Sequence, residues 1–78
     1  MINNLKAIRE SRQLSQSQLA KLANIKLRTL QHYEQGSNDI NSASLYKLLN
    51  LSIALKCSVS DIITDEELLN LIKRAKFK

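Results

Sequence analysis

Side chains able to do chemistry are few in this chain, and they do not converge. There is one histidine, His32, one cysteine, Cys57, and seven carboxylates spread along 78 residues. Acid–base or nucleophilic catalysis needs a nucleophile, a base and an orienting group within reach of one another. The sequence holds no such grouping, no metal-ligand spacing and no glycine-rich phosphate loop. Its only paired acids, Asp65-Glu66-Glu67, are accounted for as the first turn of a helix, where negative charge stabilises exposed amides. A lone cysteine forms neither an intrachain disulfide nor a cysteine metal cluster, and Cys57 reads as a small buried hydrophobe beside Leu55 and Val59. The expectation is a non-enzyme with no metal and no cofactor. What the chain does carry is positive charge, twelve Lys and Arg against seven Asp and Glu. Residues 1–60 hold eight basic and three acidic side chains, whereas residues 61–78 hold four of each. That asymmetry selects an anionic partner for the first part of the chain.

The elements that position these residues must be helices. One glycine, no proline and three aromatic residues leave too few turn formers for a many-stranded sheet. The length suits one small domain that buries roughly 60% of its unfolded surface, so the core is thin and a dimer interface is a natural supplement. The longest apolar run is Ile53-Ala54-Leu55, far short of the ~20 residues that span a bilayer, so no membrane partner is expected. Met1-Ile2-Asn3-Asn4 has neither the basic start nor the apolar stretch of a signal peptide, and a reducing cytoplasm is the expected compartment.

Apolar residues recur at helical spacing from Leu5 to Ala75, which predicts six helices. The first runs from about Asn4 to Gln13, with Leu5 and Ile8 on one face. Ser15-Gln16-Ser17-Gln18 is a capping box that opens a short second helix, which turns Leu19, Ala20, Leu22 and Ala23 inward and stops at Asn24. A third helix spans Lys26 or Leu27 to Gln35, with Leu30 and Tyr33 inward, and Gly36 ends it. After the polar Ser37–Asp39 loop, Asn41 is expected to cap a long fourth helix reaching about Lys56, with Ile40 stapled onto Leu45. Ser58-Val59-Ser60-Asp61 and Thr64-Asp65-Glu66-Glu67 read as two more caps, starting a short fifth helix and a sixth from about 65 to 76.

Two short helices joined by a turn, inside a basic all-helical domain, are the ingredients of helix-turn-helix DNA recognition. The residues Leu14-Ser15-Gln16, Leu19-Ala20, Ile25, Thr29-Leu30, Tyr33-Glu34-Gln35-Gly36, Leu48, Leu51 and Ala54-Leu55 closely resemble the Cro and phage-repressor (Xre) type of helix-turn-helix protein. The resemblance covers about residues 4–63 and departs at three places: Asn24 stands where Gly is common, Lys26 where Ser or Thr often caps, and Ile40 where Pro is common. It implies an all-α, lambda-repressor-like bundle of five to six short helices, with residues 1–63 as the DNA-binding domain and 64–78 as a C-terminal helix. In such proteins the third helix lies in the major groove, which makes Leu27, Arg28, Gln31 and His32 the implied base readers. The Arg28 fork can donate twice to guanine O6 and N7, Gln31 can pair with adenine, His32 can donate to a purine acceptor or a phosphate, and Leu27 can meet a thymine methyl or fold back onto the domain. Gln16, Lys26, Thr29 and Asn38 are the implied phosphate contacts, Arg12 and Lys6 being weaker ones, and Arg9 with Glu34 is the implied structural ion pair.

The fourth helix shows two apolar stripes. Leu48, Leu51 and Leu55 suffice for a core, and Tyr46, Leu49 and Ile53 form a second stripe that needs cover. The sixth helix offers Leu68, Leu71, Ile72 and Ala75 on one face. These seven residues either pack within one chain or form a homodimer interface, and the dimer is the expectation, since paired recognition helices ~34 Å apart read the two halves of a palindromic operator in double-stranded DNA. Two functions therefore stand open: a small homodimeric repressor, and an antitoxin-like module whose fourth and sixth helices neutralise a partner protein such as a toxin while the helix-turn-helix controls its own operon.

Overall fold

Helix ends, more than helix interiors, explain how this chain is arranged. The computed structural model describes residues 4–75. Among these residues there is no strand, and six α-helices follow one another: α1 (Leu5–Ser11), α2 (Gln16–Leu22), α3 (Leu27–Gln35), α4 (Leu45–Leu55), α5 (Val59–Ile62) and α6 (Glu66–Ala75), with a 3₁₀ turn at Ile40–Ser42. The all-helical expectation and the number of helices agree with this; residue 76, the expected end of the last helix, lies outside the described residues.

The capping box of α2 is fully formed: the Gln18 amide donates to Ser15 Oγ at 3.1 Å, and the Ser15 amide donates to Gln18 Oε1 at 2.8 Å. At α5 the Ser58 amide and hydroxyl both donate to Asp61 Oδ2, each at 2.9 Å. The amide bond comes first among the causes that hold the Asp61 carboxyl below the usual carboxylate range. Helix α3 starts at Lys26 with no side-chain cap, as the departure from Ser or Thr implies.

Two of the expected starts are corrected. Asn41 does not cap α4; Ser44 does, accepting from the Lys47 amide at 3.2 Å. Asn41 instead reaches the far end of the domain, where its Oδ1 accepts from the amides of Thr64 and Asp65 at 2.9 and 3.1 Å. Its Nδ2 donates to Thr64 Oγ1 at 3.1 Å. Asp39, which caps the 3₁₀ turn, keeps the chain from entering α4 directly after Ile40. Ile40 is buried while Leu45 is 54% exposed, so Leu45 faces outward rather than into a staple. At α6 the capping side chain is Asp65, not Thr64: its Oδ1 accepts from the amides of Glu67 and Leu68 at 2.8 and 3.3 Å.

At their other ends, α1, α2 and α4 close in the same way, through a left-handed residue. Gln13, Asn24 and Lys56 have φ of 59°, 55° and 54°. The following amide in each case reaches back to a carbonyl five residues earlier: Leu14 to Arg9, Ile25 to Ala20 and Cys57 to Ser52. Gly36, with φ 83°, ends α3. Asn24 and Gly36 were the ends expected from residue type; Gln13 and Lys56 take a conformation that costs a residue with a Cβ about 1–2 kcal/mol. Gln13 makes no side-chain hydrogen bond with the described residues, so Gln13→Gly is expected to stabilise the domain by about 0.5–1 kcal/mol, after allowing for the greater freedom of the unfolded glycine chain. A thermal melt followed by circular dichroism checks this, and an unchanged or lower Tm would contradict it.

The core draws on every helix but the last. Leu5, Leu19, Ala23, Leu30, Leu51, Leu55 and Ile62 are fully buried, with Ile40, Leu48, Tyr33, Val59 and Ile63 around them. Helix α2 packs on α3 and α4, α4 on α5, and α1 on α3. Leu22 is 62% exposed and not inward as expected, because it falls one step beyond the arc defined by Leu19, Ala20 and Ala23. Helix α6 buries no residue completely and rests on the core through half-buried Leu68, Leu69 and Ile72.

Candidate nucleic-acid interface

Burying Leu30, Tyr33 and Glu34 commits the rest of α3 to the surface. The outward face then carries Leu27, 39% exposed, the exposed Arg28, and half-buried Gln31 and His32. These are the implied base readers, and the helical repeat of about 3.6 residues places all four on one face. Gln35, seven residues after Arg28, is exposed on the same face. The seven-residue spacing was the available signal for it, hidden by its role in marking the helix end beside Gly36.

Arg28 makes no hydrogen bond or ion pair with the described residues, so its guanidinium is free to meet a ligand. His32 Nδ1 lies 2.9 Å from Ser37 Oγ, and that hydroxyl also sits 3.3 Å from the His32 carbonyl. Ser37 therefore holds the imidazole on its own side and leaves Nε2 without a partner among the described residues. Of the implied phosphate contacts, Lys26 and Asn38 are exposed, and Gln16 and Thr29 are half-buried. Lys26 stands at the start of α3 and Asn38 in the loop after it, so they bracket the exposed face along the helix.

What holds α3 in place lies beneath that face. Arg9 of α1 donates from Nε to Glu34 Oε2 at 2.7 Å and from Nη2 to Glu34 Oε1 at 3.1 Å, a bidentate pair whose side chains are 10% and 3% exposed. Arg9 Nη1 also donates to the Leu14 carbonyl at 2.7 Å. The bond to Glu34 is the largest influence on Arg9 and pushes its pKa further up, against the opposing effect of burial. Gln16 Nε2 donates to the same Glu34 Oε1 at 3.1 Å, and Gln31 Nε2 donates to Gln16 Oε1 at 3.4 Å. One carboxylate thus ties α1, α2 and α3 together and connects them to a residue on the exposed face. The implied Arg9 and Glu34 ion pair is present; the links from Gln16 to Glu34 and Gln31 were not legible in the sequence, since they join residues 18 and 15 positions apart.

Arg12, a weaker phosphate candidate, is engaged elsewhere. Its Nε donates to the Leu55 carbonyl at 2.7 Å and its Nη2 to the Lys56 carbonyl at 3.5 Å, which satisfies carbonyls left open at the end of α4. Cys57 is half-buried in a shallow cleft with Asn4, Ala7, Ile8, Ser11, Arg12 and Asp61. Burial, and secondarily Asp61, push its thiol pKa up, away from a reactive thiolate.

The apolar residues assigned to an interface fall into two sets. Tyr46 and Ile53 are 63% and 73% exposed, and Leu49 between them is half-buried against the core. Leu68, Leu71, Ile72 and Ala75 line a groove with Leu45, of about 260 Å³, and Leu71 is 48% exposed. No helix among the described residues is long and apolar enough to cross a membrane.

No curated protein matches the chain. A family model described as helix-turn-helix matches residues 5–62, from the first residue of α1 to the last of α5, and so takes in the buried Arg9–Glu34 pair, the α2–turn–α3 unit and the free Arg28. The chain belongs to the helix-turn-helix family in its Cro and phage-repressor (Xre) type, a family of DNA-binding regulators of transcription and not of enzymes.

Proposed function

We propose that the protein is a homodimeric, sequence-specific repressor that lays α3 in the major groove of a palindromic operator and acts by occluding the transcription machinery. The observation that carries this reading is the α3 face itself: an unpartnered Arg28 beside Leu27, Gln31 and His32, on a helix locked from below by Arg9 and Glu34. Leu27, Arg28, Gln31 and His32 meet base edges, with His32 offering Nε2. Gln16, Lys26, Thr29 and Asn38 meet phosphates and set the register. The division into a reading domain over residues 1–63 and an α6 segment over residues 64–78 fits the contrast between a complete core and a half-buried last helix. Such a role places the protein in the cytoplasm, with the DNA.

Selection from a random duplex library with the full chain, at a stated near-physiological salt, tests the reading, because backbone contacts weaken steeply with salt. Two inverted half-sites about one helical turn apart are expected. A single half-site would remove the dimer from the proposal, and no enrichment by a folded protein would remove sequence-specific reading.

The second copy is assigned to the exposed and half-buried apolar residues: Tyr46, Leu49 and Ile53 on α4, and Leu68, Leu71, Ile72 and Ala75 on α6. Two large apolar side chains more than three fifths exposed on one turn-spaced stripe are costly to leave in water. Leu71→Lys or Ile53→Lys, each at an already exposed position, is expected to give a folded monomer in analytical ultracentrifugation where the parent chain is a dimer. An unchanged dimer would take the substituted residue out of the interface. A monomeric parent chain would hand this surface to a different protein, as the antitoxin reading has it.

A further inference from the structure

His32 carries the only imidazole in the chain, and a neutral imidazole has one nitrogen that donates and one that accepts. Which of the two is free to meet DNA is decided at the end of α3. There the left-handed turn at Gly36 brings Ser37 and Asn38 back onto the last turn of the helix. The Asn38 amide donates to the His32 carbonyl at 3.1 Å, and Ser37 Oγ lies 3.3 Å from that carbonyl oxygen and 2.9 Å from His32 Nδ1. A carbonyl oxygen has two lone pairs and no proton, so its contact with Ser37 is a hydrogen bond only if the hydroxyl proton lies between them. That proton is then unavailable to Nδ1. Ser37 Oγ can only accept from the ring, and the proton of the shorter contact must sit on Nδ1. In the opposite arrangement, with the hydroxyl donating to a bare Nδ1, two oxygen lone pairs would face each other at 3.3 Å.

We propose that Ser37 is a positioning residue that sets the tautomer of His32: the neutral imidazole keeps its proton on Nδ1 and presents Nε2 to the major groove as an acceptor, which selects a base bearing an exocyclic amino group, adenine or cytosine, on the strand it meets. The proposal rests on the reading of α3 as the major-groove helix, and it deepens that reading by naming the class of base at one position. Adenine N6 and cytosine N4 are the donors on the major-groove edge. Guanine O6 and N7 and thymine O4 are acceptors, and would meet the Nε2 lone pair with one of their own. A phosphate oxygen is an acceptor as well. The neutral side chain is therefore excluded from both roles that its residue type suggested, donation to a purine acceptor and donation to a phosphate.

Two measurements test this, both at about pH 8, above the usual histidine range, so that the neutral imidazole is the species observed. The first is nuclear magnetic resonance of the nitrogen-15-labelled full chain, in which a protonated and a bare ring nitrogen differ in shift. With one histidine in the chain, the imidazole signals belong to His32 alone. The parent chain is expected to show the proton on Nδ1, Ser37→Thr, which keeps the hydroxyl, to show the same, and Ser37→Ala to move it in part to Nε2. The second is the duplex selection with the parent chain, His32→Ala, Ser37→Ala and Ser37→Thr, each shown to be folded by circular dichroism. His32→Ala is expected to flatten one position per half-site, and in the parent motif that position is adenine or cytosine. Ser37→Ala should lower the preference there by roughly three- to tenfold, the worth of one net hydrogen bond, and admit guanine, whereas Ser37→Thr should keep it. A proton on Nε2 in the parent chain, or a His32-dependent guanine or thymine, would overturn the tautomer assignment while leaving the DNA reading intact. So would an enriched motif with no position dependent on His32. A proton that stays on Nδ1 in Ser37→Ala would overturn the part given to Ser37. Absence of any enriched motif with the folded parent chain would remove the DNA reading and the base class with it.

Discussion

Glu34→Ala is expected to destabilise the protein by about 3–5 kcal/mol, the range for breaking a buried pair from one side. The Arg9 guanidinium, with its side chain only 10% exposed, would keep its bond to the Leu14 carbonyl and lose both bonds to the carboxylate. Gln16 Nε2 would lose its acceptor in the same step. At about 0.05–0.15 kcal/mol per residue, a domain of this size has only some 4–12 kcal/mol in total, so the variant would sit near or past its folding limit at room temperature. Urea denaturation read by far-ultraviolet circular dichroism measures the shift. A loss below about 1 kcal/mol would mean that the pair is solvated and does not hold the three helices together. The paired replacement Arg9→Met with Glu34→Leu separates charge from packing: it should recover much of the loss, because no uncompensated charge stays buried. It would not recover the orientation of Gln16.

The second large effect is on recognition. Arg28→Ala together with Gln31→Ala should remove about 1–3 kcal/mol of discrimination at each of two base pairs, while the protein stays folded. Neither side chain belongs to the core: Arg28 is exposed and unpartnered, and Gln31 makes a single long bond to Gln16. Electrophoretic mobility shift at fixed salt, comparing the selected operator with a scrambled duplex, reads the ratio directly. The expected result is a collapse of that ratio with binding to the scrambled duplex largely retained, because Lys26 and the other proposed phosphate contacts are untouched. An unaltered ratio would place base reading on another surface. The same variant leaves the α4 and α6 residues as they were, so dimerisation, or capture of a partner protein through that face, should persist.

The parts of the fold that were legible depend on residues within about four positions of one another. Ser15 with Gln18, Ser58 with Asp61, and Asn24 and Gly36 as helix ends all work through local geometry, and all stand in the structure in those roles or close to them. The illegible parts are contacts between residues far apart in sequence. Asn41 has the residue type of a helix cap, and a local argument assigns it to α4; its partners at Thr64 and Asp65 lie 23 and 24 positions away. Arg12 resembles a solvated surface charge until the end of α4, 43 positions on, is brought beneath it. Leu22 fits an apolar pattern, and only the packing direction of α2 against α3 and α4 puts it outside the buried arc.

At the interface the same division holds. Residue types and spacing, with the family resemblance, were enough to bring Leu27, Arg28, Gln31 and His32 to one face and to pair Arg9 with Glu34. They could not assign hydrogen-bond directions, because an isolated glutamine amide turns either way at little cost. By itself, then, the sequence determined an all-helical, positively charged DNA-binding domain, since helix period, caps and charge balance are properties of short stretches and of sums. The tertiary structure decided which polar side chains are engaged and which are not: Arg28 has no partner among the described residues, Arg12 is spent on α4, and Gln31 is bonded to Gln16, which is bonded in turn to Glu34. The reason is that a polar group's role is set by whichever donors and acceptors packing brings to it, and in this chain those come from helices that are distant in sequence.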